Sequence, residues 1–121
     1  MSVPVEISEL EARIDEFGRT PFLVTTGDDL RPHTTHVVIG FDGGDIVANV
    51  GRKTAHNAAT RPLVALLWMP TEPGGYSLIV DGEASVDDAA VSVRATKAIL
   101  HRNAGGESYA ADCLRLDGTR P

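Results

Sequence analysis

Residues 46–84 read IVANVGRKTAHNAATRPLVALLWMPTEPGGYSLIVDGEA. Ile46, Val47 and Val50 form a short apolar run with strand character, and Gly51 lets the chain turn out of it. Arg52, Lys53 and Thr54 open the next segment, which Pro62 must end, so a short helix is expected over residues 54–61. Free N–H groups at the start of such a helix, beside two positive side chains, suit a dianionic phosphate. A solvated turn is the ordinary fate of surface cations and is the competing reading of Arg52 and Lys53. Beyond Pro62, residues 63–69 are almost continuously apolar, and residues 76–86 follow a Pro- and Gly-rich loop at 70–75. Both segments read as strands.

Upstream, Ile7, Leu10, Ile14 and Phe17 recur at helical spacing, and Gly18 ends the run. Ser8 stands three residues before Glu11, which reads as a capping box for a helix within residues 1–18. TPFLVTT at 20–26 reads as a buried strand, GDDLRP at 27–32 as a turn, and HTTHVVIGF at 33–41 as one strand completing a hairpin. DGGD at 42–45 then makes a tight turn, so residues 46–50 become the third strand of a meander. Downstream, residues 87–102 open with Asp87 and Asp88, set Val91, Ala95, Ala98 and Ile99 toward one side, and close with His101 and Arg102. That pattern predicts a third helix with its charges complementing the macrodipole. Residues 103–121 have weak periodicity and read as a tail, an arm across a partner subunit being one role for it.

Five expected strands around one small helix describe a mainly β, α+β domain: an antiparallel barrel over residues 20–86, closed because closure removes exposed strand edges. A chain of 121 residues with 42% hydrophobic content supports one core, so residues 1–121 form a single domain. Only 5% of residues are aromatic, so a pocket for a large planar ligand needs walls of backbone and branched aliphatics, or a second subunit. A net charge of -6 argues against nucleic-acid binding, and no apolar run reaches the length of a membrane span. The N-terminus lacks a secretion signal, so a soluble, cytoplasmic protein is expected. The single cysteine, Cys113, excludes an internal disulfide framework and a multi-cysteine zinc site. His33 and His36 lie three apart on a strand, hence on opposite faces, and do not form a metal pair. Ser85, Asp87 and Asp88 make no recognisable hydrolytic set, and no residue is singled out as catalytic.

The run from Asn49 to Pro62, continuing to Gly82, Glu83 and Ala84, resembles the pyridoxamine 5'-phosphate oxidase-like family, the flavin-binding split barrels. The resemblance covers residues 7–102 and implies a homodimer with flavin sites at the subunit interface. The implied cofactor is FMN, with a deazaflavin as the alternative. By position, the resemblance places the cofactor phosphate on Arg52, Lys53 and Thr54. In an ungapped comparison the family's basic pair falls on 53 and 54, so Arg52 supplies one charge a residue early; Ala48 stands where a Thr is common. Val47 and Ala48 close the strand before the phosphate, Thr34, Thr35, His36 and Val37 match the strand that lines the flavin ring, and Ser77 matches a polar flavin contact. His36 has a second role open to it, that of a strand histidine satisfied by a carbonyl. Trp68 and Tyr76 either cover a flavin from the partner subunit or pack in the core. The implied activity is an oxidoreductase passing a hydride or electrons to a small-molecule substrate. A flavin- or haem-binding carrier or sensor without turnover is the alternative.

Overall fold

The computed structural model describes residues 1–103. The tail and Cys113 lie outside the described residues, as does any arm across a partner. Within 1–103 the order is β1 (Ser2–Val5), a 3-10 turn (Ile7–Glu9), α1 (Leu10–Phe17), β2 (Phe22–Thr26), β3 (Pro32–His36), β4 (Ile39–Asp42), β5 (Asp45–Asn49), α2 (Arg52–Thr60), β6 (Leu63–Trp68), β7 (Ser77–Asp87) and β8 (Ala90–His101). All strand pairings are antiparallel, in the order β3-β2-β6-β7-β8-β5-β4, with β1 added along the second half of β8. The expected antiparallel split barrel is the fold observed. Its curled sheet holds Leu23, Leu66, Leu78, Val80, Val91 and Val93 inward, and α1 contributes Leu10 and Ile14 to the same core. Trp68 belongs to that core, its indole N–H donating to the Gly18 carbonyl at 2.8 Å.

The strand expected at 33–41 is two strands. Backbone pairing continues past His36, with Val37 N–H donating to the Pro21 carbonyl at 3.1 Å and Ile39 N–H to the Arg19 carbonyl at 2.9 Å. Alternation holds through the bend: Val37 and Ile39 are buried and Val38 is 71% exposed. Beyond it the chain leaves β2 and pairs with β5, so β3 and β4 end up at opposite ends of the sheet path. The expected meander is therefore two hairpins joined by a crossing, not one run of neighbours. Eight strands are present among the described residues rather than five, β1 and β8 having been missed and 33–41 having divided into β3 and β4.

The helix expected over 87–102 is β8. Asp87 ends β7, Asp88 (φ 56) sits in the tight turn, and neither starts a helix. A bulge explains the misleading spacing. Asp81 faces Lys97 but Gly82 faces Ala95, which leaves Thr96 as an extra residue and shifts the inward phase from Val91, Val93 and Ala95 to Ala98 and Leu100. The shift puts one spacing of three into a period of two, so that Val91, Ala95 and Ala98 stand four and three apart and imitate a helix, while Ile99, expected on the same side, faces outward. His101 and Arg102 consequently lie at a strand end and complement no macrodipole. The Ser8 capping box is also absent, since Glu9 is the N-cap of α1 and no side chain caps it. The short helix expected at 54–61 is α2, beginning two residues earlier at Arg52.

Candidate functional site

At the β5–α2 junction, Gly51 caps the helix in an extended conformation (φ -72, ψ 170) with no side-chain hydrogen bond, and no acidic residue stands in the first turn. The first N–H groups of α2 thus meet no carboxylate of their own helix. Arg13, Arg19, Arg31, Arg61 and Arg94 all pair with carboxylates, whereas Arg52 and Lys53, both exposed, have no acidic partner among the described residues. Thr54 points the other way. It is only 4% exposed and packs beneath the helix with Asn57 and Ala58, at the spacing of one helical face. The open face of the junction is therefore two free cations and backbone.

A groove of about 700 Å³ lies on the outward face of β4, β5, β8 and β7. Its floor is one cross-strand row, Gly40 opposite Val47, Val47 opposite Ser92, and Ser92 opposite Ser85. These side chains are small, which is why the sheet's curl leaves space above them. Asn49 lines one end, three residues before Arg52, so groove and junction are consecutive in the chain. Asp42 and Asp87 also line it.

Of the sequence-predicted residues, Val47 and Ala48 line the groove, and Val37 is buried next to Val38, which lines it. Arg52 and Lys53 do not line it; they follow Asn49 by three and four residues in the chain. Thr34, Thr35 and His36 sit on β3, ahead of the bend. His36 is held there by its own contacts, Nε2–H donating to the Thr20 carbonyl at 2.7 Å while the ring stacks on Phe22 at 4.6 Å. Ser77 is not brought to the groove within one protomer. It begins the 11-residue β7, whose far end reaches the groove, and such a strand spans roughly 33 Å. Sequence reasoning missed Gly40, Asn49, Ser85 and Ser92. Gly40 and Asn49 were detectable as alternate positions of the β4–β5 hairpin; Ser85 and Ser92 required reading 77–101 as a hairpin.

At the other end of α2, Arg61 donates to Asp28 at 2.9 Å and His56 Nε2–H reaches the same carboxylate at 3.0 Å. The Arg61 hydrogen bond first, then that of His56, hold the Asp28 carboxyl below its ordinary range. The cluster ties the β2–β3 turn to the helix that carries the basic junction, so His56 serves as a tether and not as a cap.

No family model matches the chain. The uncharacterized protein Mb0449c of Mycobacterium bovis is 38% identical over 126 aligned positions, covering 88% of this chain and 87% of that protein. A solved structure from Clostridium acetobutylicum, related to general stress protein 26 of B. subtilis and of the pyridoxinephosphate oxidase family, aligns with a TM-score of 0.63 at 11% identity, covering 82% of this chain and 92% of that one. The chain belongs to the family of the Mycobacterium bovis protein, and its fold is the pyridoxamine 5'-phosphate oxidase-like split barrel. Other split barrels align equally well. An FAD-binding protein of Mycobacterium smegmatis has a TM-score of 0.63 at 17% identity (84% of this chain, 100% of that one), and a heme-binding protein of the same organism 0.63 at 18% (90% and 62%). An F420 reductase has a TM-score of 0.59 at 15% identity (71% and 93%). Among the described residues, no helix of the split barrel is long and apolar enough to cross a membrane.

Proposed function

We propose that this split barrel binds a phosphate-bearing flavin, FMN or a deazaflavin, and uses it as a cytoplasmic oxidoreductase acting on a small molecule. The observation that carries the reading is the pair of cations, unpartnered among the described residues, at the uncapped start of α2, three and four residues along the chain from Asn49, which lines a groove of about 700 Å³. The residues fit such a group: Arg52, Lys53 and the first N–H groups of α2 for the phosphate, Val38 and Val47 for an apolar ring face, and Asn49, Ser85 and Ser92 for polar edges. Bound there, the flavin supplies the hydride or electron transfer. The protein's own work is to fix the phosphate, orient the ring and leave room in the groove for substrate. The FAD-binding protein and the F420 reductase of the same fold support a flavin-type ligand.

A second copy of the chain completes this proposal. His36, Phe22, Leu67, Ile79, Ile99 and Pro4 form one outward row of register partners, largely apolar and only half-covered over most of its length. A partner seated on that row would remove it from water and offer its own residues to the groove. Carriage of a ligand without turnover is the second reading, supported by the heme-binding protein of the same fold. The experiment that tests the cradle is replacement of Arg52 and Lys53 together by Ala. Cofactor retention should fall at least tenfold with the fold intact by circular dichroism; unchanged retention would sink the assignment.

A further inference from the structure

The cavity beside Ser77 is left over from that reading. It measures about 220 Å³ and lies where the start of β7 meets the end of β8, lined by Pro70, Gly74, Gly75, Ser77, His101, Arg102 and Asn103. At roughly 30 Å³ per water molecule it holds a group of several heavy atoms. We propose that it binds a phosphate-sized oxyanion, at a site separate from the Arg52 junction.

Three observations carry this. First, no acidic side chain among the described residues lines it: Arg102 contributes a cation and His101 an imidazole, while Glu72 flanks the loop without lining the cavity. Neither basic side chain has a carboxylate partner among the described residues. Second, both are held in place by contacts that leave donors free. The Arg102 guanidinium lies over the Tyr76 ring at 4.7 Å, a contact to its face that leaves the N–H edge available. His101 Nδ1 and Ser2 Oγ are 3.2 Å apart, and Nε2 has no partner among the described residues. Third, the opposite wall is nearly bare backbone. Gly74 has φ +76, and a Cβ on Gly75 would come within 3.1 Å of the Glu72 carbonyl, so the tight loop keeps side chains out of the space. Ser77, the register partner of His101, adds a hydroxyl donor on the same row.

The test is a titration of the full chain with inorganic phosphate at ionic strength held constant with sodium chloride, followed by ¹H–¹⁵N spectra. Saturable shifts are expected at the amides of Gly74, Gly75, Ser77 and Arg102. Replacing His101 and Arg102 by Ala should weaken them at least tenfold, and Ser77→Asp, which places a negative charge there with the β8 sequence unchanged, should do the same. Replacing Arg52 and Lys53 by Ala should leave them unchanged, which separates this site from the cofactor cradle. Linear, non-saturating shifts, or affinity equal to the parent protein's in either the Ser77 or the His101/Arg102 variant, would overturn the proposal.

Discussion

Asp28 accepts from Arg61 and His56, and the result is a tether between the β2–β3 turn and α2. Its carboxyl is held below the ordinary range, so its contribution to stability is present above that range and disappears as the pH falls through the lowered value. Asp28→Asn should therefore lower the thermal midpoint at neutral pH, with the difference from the parent protein vanishing in strong acid. Equal midpoints at neutral pH would mean that the exposed cluster is screened into insignificance. His36 satisfied by a carbonyl was legible in the sequence because the demand is local to the residue type: a strand histidine needs a partner. The His56–Asp28 contact was not, because it joins residues 28 positions apart across a turn whose direction only the fold sets. The basic junction itself was legible, since glycine, cations and a following proline are all consecutive. The inward turn of Thr54 was not, since it depends on where α2 begins, and the helix starts two residues earlier than its pattern suggests.

The β7–β8 hairpin is where sequence reading failed most, and the failure has one cause. A helix and a bulged strand both place apolar residues at spacings of three and four, so periodicity alone cannot separate them. Gly82 was the missed signal. A Cβ at that position would lie 2.5 Å from Val93 Cγ1 and 2.8 Å from the Arg94 carbonyl, so only glycine admits the close approach of β8 at the bulge. Gly82→Ala should destabilise the protein by about 1–3 kcal/mol, because the nearest backbone atom cannot yield as a side-chain tip would. Denaturant unfolding would measure it, and a loss below roughly 0.5 kcal/mol, the usual scale of a surface change, would show that the hairpin absorbs the methyl. The two short hairpins were legible because each is closed by contiguous turn residues. Gly43 and Gly44 both adopt positive φ between β4 and β5, as their sequence predicts.

For the molecule as a whole, the antiparallel split-barrel class was legible from the short strands and their turn spacing, whereas full closure was not observed, the pairing path among the described residues running open from β3 to β4, and the crossing between those two strands was not legible, since no residue at 37–38 marks it. The outward row through Phe22, Leu67 and Ile79 is the surface proposed to face a second copy. Ile79→Asp should give a folded monomer by light scattering and circular dichroism; an unchanged dimer mass would place the interface elsewhere, and a monomeric parent protein would remove the dimer from the proposal. Above all of these stands the claim that a phosphate-bearing flavin occupies the groove at the Arg52–Lys53 junction. Gentle purification followed by absorbance and mass of whatever the protein carries, with FMN and a deazaflavin added side by side to the stripped protein, examines it. The expected result is saturable binding of one of the two, lost when Arg52 and Lys53 are replaced by Ala. Failure of both to bind, or binding unaffected by the loss of those two cations, would contradict it.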